Sequence, residues 1–440
     1  MSSPELTPPS TALKRLSIRV TVLCWFLVLL DGLDLFVYGA SLPGVLDDKG
    51  FGLTPGAAGN IGSLNTFGML LGALSAGVIA DRVGRRKVIA TGVVVFCLSA
   101  AVCGAAPTVT VFGAARFVAG IGLGVLLPTA IAQVMEYTAP ARRHIGVTIL
   151  MTAHQAGGAI AGGVAASVVA ALGWRSVYWF GAAPVVLALP AILLWLPESI
   201  TNLVAAGRTA KARALADRHG VSLESFAPER DSDRHRGSLR SLFTGPLWRT
   251  TTLFWIASFM GLLLVYGVNT WLPTMMRDQG YNLGSAISFL LVINAGGIVG
   301  MLVAGSLADR LGSARPVAIA WFAATTVGVA LLAVPMPLWI TYVDVFLTGG
   351  FLFSAQTLIY SSTSNYYLPG VRGTALGWVS GIGRFGAVFG PWLGGVLVAS
   401  SLSTWGFAVF AVAAVLATLM IALIRGNSAS VVRAKLATVD

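Results

Sequence analysis

The sequence predicts an all-α polytopic membrane protein with twelve transmembrane helices in two six-helix halves. Three observations carry this: apolar runs of spanning length, a polar gap that divides them six and six, and a motif repeated at a fixed offset. Of the 440 residues, 56% are hydrophobic and 10% charged, against about 25% charged in an ordinary soluble domain. A bilayer core about 30 Å thick takes about 20 apolar residues per helix, so the length counts spans, not domains.

The runs fall at 20–42, 58–80, 88–106, 109–135, 145–171 and 175–196, then at 248–273, 284–308, 316–334, 337–362, 373–399 and 404–424. The division is therefore a tail at 1–19, a first bundle at 20–196, a linker at 197–247, a second bundle at 248–424 and a tail at 425–440. The linker is polar and charged and has room for short surface helices only. The first run follows Lys14, Arg15 and Arg19 and has no small-residue cleavage pattern after it; it reads as a retained span rather than a signal peptide.

The net charge of +12 invites nucleic acid as a partner, but its distribution argues otherwise. With the N-terminus cytoplasmic, 24 of the 29 Lys and Arg fall on that side, three outside (Lys49, Arg175, Arg277) and two within spans (Arg116, Arg384). Cytoplasmic loops retain such residues. The expectation is a multi-pass protein of the cytoplasmic (inner) membrane with both termini inside, anionic lipid as the partner of the excess charge, and no nucleic acid. Cys24, Cys97 and Cys103 all fall in apolar runs and read as small hydrophobes. No metal-ligand spacing, Walker-type loop or nucleophile-base pair is present, so the expectation is a non-enzyme without metal or cofactor.

The repeat supports the division. Gly77-x-x-x-Asp81-Arg82-x-Gly84-Arg85-Arg86 follows the second run, and Gly305-x-x-x-Asp309-Arg310-x-Gly312 follows the eighth, 228 residues on. Pro140-x-x-Arg143 and Pro369-x-x-Arg372 recur at an offset of 229. One six-helix unit used twice in parallel order places a substrate site between the copies.

The copied loop resembles the hallmark of the major facilitator superfamily. Within that superfamily the chain looks like the aromatic acid:proton symporters, on Asp31-Gly32-Leu33-Asp34 in the first span, Leu35-Phe36-Val37-Tyr38-Gly39 and Pro43 after it, Arg116-Phe117-x-x-Gly120-x-Gly122-x-Gly124 in the fourth, and Leu196-Pro197-Glu198-Ser199 closing the sixth. The resemblance implies the major facilitator fold, alternating access, and proton-coupled import of a benzoate-like or hydroxybenzoate-like carboxylate by a protein acting as a monomer. It also implies an essential role for the Asp31/Asp34 pair. Carriage of another organic anion or a polyol is the alternative. A drug/proton antiporter is a third reading, and the absence of a Gly-Pro pair in span five favours symport over it.

A charge at membrane centre costs roughly 2.5–3.5 kcal/mol on insertion scales, which makes each one a functional candidate. Asp31 and Asp34, three apart, point to similar sides of a helix and are expected to face one aqueous cavity. Two carboxylates so placed would share a proton near physiological pH, as a proton-coupled carrier needs; the sequence does not choose between them, and a structural role in fixing a kink stands beside the functional one. Arg116 and Arg384 are the candidates for a substrate carboxylate, since a guanidinium fork matches it; Arg116 has pairing with Asp34 as its alternative. Asp344 and His154 are further proton-coupling candidates. Shifting Arg116 by 228 gives Asp344, and shifting His154 by 229 gives the neighbour of Arg384.

Asn65, Phe67, Asn269, Trp271, Asn294, Gln356 and Tyr360 are candidates to hold a ring and its hydroxyls, or else interface and packing residues. Gly77, Asp81, Arg82, Gly84, Arg85 and Arg86, with Asp309 and Arg310 of the second copy, are expected to gate, pairing with neighbouring helix ends in one conformation and releasing them in the other.

Overall fold

A chain crossing lipid must satisfy every backbone N–H and C=O internally, which leaves helices as the solution for apolar runs of this length. The computed structural model describes residues 11–139, 143–226, 242–243, 247–367 and 369–424. The first half holds α1 (Thr11–Asp47), α2 (Pro55–Val83), α3 (Arg85–Ala105), α4 (Val109–Tyr137), α5 (Arg143–Leu172), α6 (Arg175–Ala182) and α7 (Val185–Trp195). Two short helices follow, α8 (Ile200–Ala205) and α9 (Thr209–His219). The second half holds α10 (Leu247–Asp278), α11 (Leu283–Arg310), α12 (Ala314–Leu331), α13 (Leu338–Tyr366), α14 (Pro369–Ala399) and α15 (Ser403–Leu423). Eleven helical stretches among the described residues are long and apolar enough to cross a membrane, α6 and α7 counting as one. With α5, 30 residues long and packed between α1 and α11, there are twelve.

Local chemistry sets the ends. Thr54, Thr108 and Asn282 cap α2, α4 and α11 by accepting from Ala57, Val111 and Ser285 N–H groups at 3.3, 3.3 and 2.8 Å, which satisfies donors the first helical turn leaves free. Between α2 and α3 the whole turn is Gly84, at φ 100°, a conformation a side chain would oppose. Two boundaries differ from the sequence reading. The first helix starts at Thr11, inside the expected tail, because Leu16 and Val20 are buried and Ser17 hydrogen-bonds Thr138 at 3.2 Å. The sixth span is broken at Ala183 and Pro184 into α6 and α7, since proline supplies no N–H to continue the ladder. Pro140, much of the linker and the tail at 425–440 lie outside the described residues.

Helices α1 to α7 pack on one another, as do α10 to α15, and the two groups meet through α1 with α10, α2 with α14 and α5 with α11. The seam is tight on the face opposite α1's start, here the loop face. Gly59 meets Gly395 backbone to backbone, Gly62 meets Pro391, and Ser63 donates to the Val388 carbonyl at 2.6 Å. Gly39 abuts Asn269 and Thr270, and Gly162 abuts Leu290 and Leu291. Small residues permit such approach where lipid offers no hydrophobic drive. Toward the other face, where α1 begins, the seam parts: no described residue lies within 4 Å of where a side chain would grow from Gly77 of α2 or from Gly373, Gly377 and Gly381 of α14. The space between the halves is thus shut at the loop face and open at the terminal face.

Candidate functional site

Asp31 and Asp34 both lie in the middle of α1 and are 0% and 1% exposed, but they face different helices. Three residues turn a helix by about 300°, so their side chains diverge by about 60°, enough to meet separate neighbours. Asp34 turns to α4, where Arg116 Nη1 donates to its Oδ2 at 3.1 Å and Nη2 to its carbonyl at 3.5 Å. The Arg116 guanidinium is wholly buried and lies 5.4 Å from the Tyr38 ring centre. The expected shared aqueous cavity is therefore corrected, and Arg116 is already engaged by Asp34 instead of standing open to a substrate anion.

Asp31 turns the other way, to α5. Its Oδ2 is 3.9 Å from Nε2 of His154, and neither of its oxygens has a hydrogen-bond partner among the described residues. The two helices come this close because residue 32 is glycine; a side chain there would run into the His154 backbone carbonyl. The His154 imidazole stands edge-on to Phe36 with centres 5.4 Å apart. From the second half, the charge of Arg384 on α14 acts on Asp31, His154 and Tyr266.

Beside this group, at the seam, is a cavity lined by Phe36, Tyr38, Asn65, His154, Tyr266 and Asn269 among others, leaving about 20 Å³ for the centres of water-sized groups. Asn269 donates to the Val265 carbonyl at 2.7 Å and accepts from Asn294 at 3.3 Å. A buried carboxylate, an imidazole, a guanidinium and aromatic walls meet where the halves meet. That arrangement can hold a negative charge and a proton beside an aromatic wall, and among the described residues it contains no nucleophile poised for covalent chemistry.

The pattern of the major facilitator superfamily matches residues 24–378. The chain belongs to the major facilitator superfamily. Within it the chain belongs with the aromatic-acid transporters. It is 32% identical to the benzoate transport protein of Acinetobacter baylyi over 92% of this chain and 89% of that one. It is 33% identical to the gentisate transporter of Corynebacterium glutamicum over 91% and 86%. It is 31% identical to a 4-hydroxybenzoate transporter of Pseudomonas aeruginosa over 86% of each. Among solved structures, a D-xylose-proton symporter superposes with a TM-score of 0.71 at 17% identity, covering 93% of this chain and 98% of that one; this likeness is one of fold.

Several polar residues of this facilitator do other work than the sequence suggested. Trp271 is fully buried, donates to the Pro391 carbonyl at 2.8 Å and packs on Gly394, so it joins α10 to α14 and does not line the cavity. Asp344 takes a hydrogen bond from Thr348 at 3.5 Å and lies beside Gly328 of α12, turned away from the Asp31 group. The 228-residue match with Arg116 therefore does not bring the two into one site. Phe67 is 39% exposed and stacks on Phe117 at 6.4 Å. Gln356 donates to Ser258 at 3.3 Å and to Tyr360 at 3.0 Å.

On the terminal face the superfamily loop divides in two. Arg85 pairs with Glu136 of α4 at 2.5 Å, and Glu136 also accepts from the Ser199 hydroxyl at 2.6 Å and the Thr201 N–H at 3.0 Å. Glu198, packed under Gly84, accepts from the Arg86 N–H at 3.2 Å, and the Arg86 guanidinium donates to the Leu193 carbonyl. Asp81 and Arg82, by contrast, are exposed and make no ion pair among the described residues, and so are Asp309 and Arg310 of the second copy. Sequence reasoning missed Glu136 and Tyr266. A lone Glu closing the fourth apolar run, opposite the basic loop, was the available signal for the first; Tyr266 had none.

Proposed function

We propose that this facilitator is a proton-coupled symporter importing a small aromatic carboxylate, benzoate-like or hydroxybenzoate-like, by alternating access. The observation that carries it is the central group: Asp31, buried and without a hydrogen bond among the described residues, beside His154 and under the charge of Arg384, at the seam of two halves. The names of the relatives support a ring carboxylate as cargo.

Arg384 receives the carboxylate with its planar fork. Asp31 takes the proton, with His154 as its relay. A buried carboxylate without donors is costly while ionised, and protonation lifts that cost, so binding of substrate and of proton are tied together. Asp34 and Arg116 keep α1 and α4 together as a rigid wall. Asn65, Asn269, Gln356 and Tyr360 shape the ring's surroundings.

The halves, 20–196 and 248–424, rock about the site as a monomer in the cytoplasmic membrane. The Lys and Arg asymmetry supports both termini, and hence the terminal face, being cytoplasmic. In this inward-open arrangement Asp81, Arg82, Asp309 and Arg310 are released; they re-pair when the terminal face closes, while Arg85 and Arg86 stay tied within the first half.

The test is uptake into proteoliposomes under an imposed pH gradient, with ring acids beside non-aromatic acids. Ring-acid accumulation that collapses with the gradient is expected. Accumulation of non-aromatic acids or polyols in preference, or accumulation indifferent to the gradient, would overturn the reading.

A further inference from the structure

The amide of Asn65 on α2 is 3% exposed, borders the central cavity, and its Oδ1 has no hydrogen-bond partner among the described residues. Three other polar side chains of that cavity are engaged. Tyr38 donates to the Ala58 carbonyl at 2.6 Å, Thr66 to the Gly62 carbonyl at 3.2 Å, and Asn269 is held on both ends of its amide. A buried polar atom without a partner is costly, and an amide end offers an acceptor and a donor. A hydroxyl group complements both.

Size points the same way. The cavity leaves about 20 Å³ for water-sized centres, roughly room for one water; that accommodates a ring substituent and not a ring. The ring then lies on the terminal side, where the halves part. Arg384 precedes Pro391, which borders the cavity, by seven residues of α14, a rise of about 10 Å. A benzoate whose carboxylate meets Arg384 reaches the recess with a hydroxyl at its far end, and a hydroxyl next to the carboxylate does not.

We infer that this carrier selects ring acids with a hydroxyl remote from the carboxylate, and that Asn65 is the residue that reads that hydroxyl. The inference rests on the ring-carboxylate reading above. Binding of benzoate and its 2-, 3- and 4-hydroxy derivatives to the purified, reconstituted protein tests both separately. The 3- or 4-hydroxy acid should bind about five- to tenfold tighter than benzoate, as one hydrogen bond in a dry site provides, and the 2-hydroxy acid no tighter. In Asn65→Leu the ratio of 3- or 4-hydroxy acid affinity to benzoate affinity should fall to about one, whatever the variant does to the two affinities together. Asn65→Ser, which is smaller, must narrow the same ratio if the leucine variant does not reach the membrane. Equal wild-type affinity for benzoate and all three derivatives, or a preference surviving in the variants, would overturn the role of Asn65. Wild-type protein that binds no ring acid would overturn the ring-carboxylate reading itself, and this inference with it.

Discussion

Arg116 donates to Asp34 at 3.1 Å with the two side chains 0% and 1% exposed, while one turn before Asp34 on α1 neither carboxylate oxygen of Asp31 has a hydrogen-bond partner among the described residues. The two carboxylates of α1 therefore have different physics. Removing one partner of a buried pair leaves the other charge unmatched, at a cost of about 3–5 kcal/mol, whereas replacing both by apolar groups is often neutral. Arg116→Leu or Asp34→Leu alone should lower the melting temperature in detergent markedly, and the double variant should recover most of the loss. If the single variants melt like the wild type, the pair is not a structural tie.

Unlike that pair, which lies within the first half, another ion pair crosses the seam. Arg277 of α10 pairs with Asp47 of α1 and donates to the Pro43 carbonyl at 3.3 Å, so it latches the halves on the loop face. Both side chains are partly exposed, at 35% and 54%, and such a pair is worth at most about 1 kcal/mol. Asp47→Asn should raise labelling of a cysteine placed at Ser63, at the closed seam, by no more than about fivefold. An Asp47→Arg/Arg277→Asp swap should return it toward wild type. Unchanged labelling in Asp47→Asn would show that the pair does not hold the face shut.

Next to that latch, Asp48 accepts from the Trp174 indole at 3.0 Å, from Arg175 at 3.1 Å and from the Phe51 N–H at 3.1 Å. The Trp174 hydrogen bond leads in holding this carboxyl below the usual carboxylate range, with Arg175 and Phe51 adding to it against some desolvation. A depressed folded-state value means the stabilisation is present above the unfolded value of about 3.9 and is lost as pH falls through the folded value. Asp48→Asn should therefore melt a few degrees lower than wild type at pH 7, and the difference should close below about pH 4. A gap that persists at low pH would assign the effect to packing.

The superfamily loop supplies a kinetic prediction. Asp81 is exposed and has no ion pair among the described residues, and Gly77 has no described residue beside it, so Asp81→Asn should leave the stability of this conformation unchanged. If Asp81 pairs only when the terminal face closes, the variant should bind substrate nearly normally and turn over much more slowly. Equal losses of binding and transport would move Asp81 out of the gate.

The twelve spans and the six-and-six division could be read in advance because the bilayer imposes a length and a hydrophobicity on each crossing, and both are properties of local sequence. Which intramembrane charges meet could not. Asp31 and Asp34 are three residues apart, and the 60° between them decides between α5 and α4, a choice made by where Gly32 lets α5 approach. Arg116 could be marked by its position in lipid and pairing with Asp34 named as an alternative, but the sequence could not choose between that partner and a substrate anion. The matched offset of Asp344 misled because the repeats preserve helix packing, not the lining of the cavity. Glu136 belongs to the loop network only through contacts among α4, Arg85 and the Ser199 segment, which no spacing along the chain reveals.

The last prediction concerns Asp31 alone. A benzoate-like substrate is an anion at neutral pH, so moving it inward works against a potential worth about 2.3 kcal/mol per charge per 100 mV; one accompanying proton cancels that charge. If import is proton-coupled as proposed, the carrier needs a group that binds the proton with the substrate and gives it up before the empty protein returns. Asp31 lies beside His154 and within the influence of Arg384, whereas Asp34 is committed to Arg116. Asp31→Asn mimics the protonated carboxyl and keeps its shape. It should abolish accumulation driven by an inward proton gradient and still exchange labelled for unlabelled substrate across the membrane at equal pH, because exchange moves only the loaded carrier. Both fluxes are measured in the same proteoliposomes at matched reconstitution. His154→Gln should reduce gradient-driven uptake less, since it leaves the carboxyl in place. If Asp31→Asn accumulates substrate near the wild-type level, the coupling proton is carried elsewhere; if it loses exchange along with accumulation, Asp31 is needed to move the loaded carrier and not only to couple it.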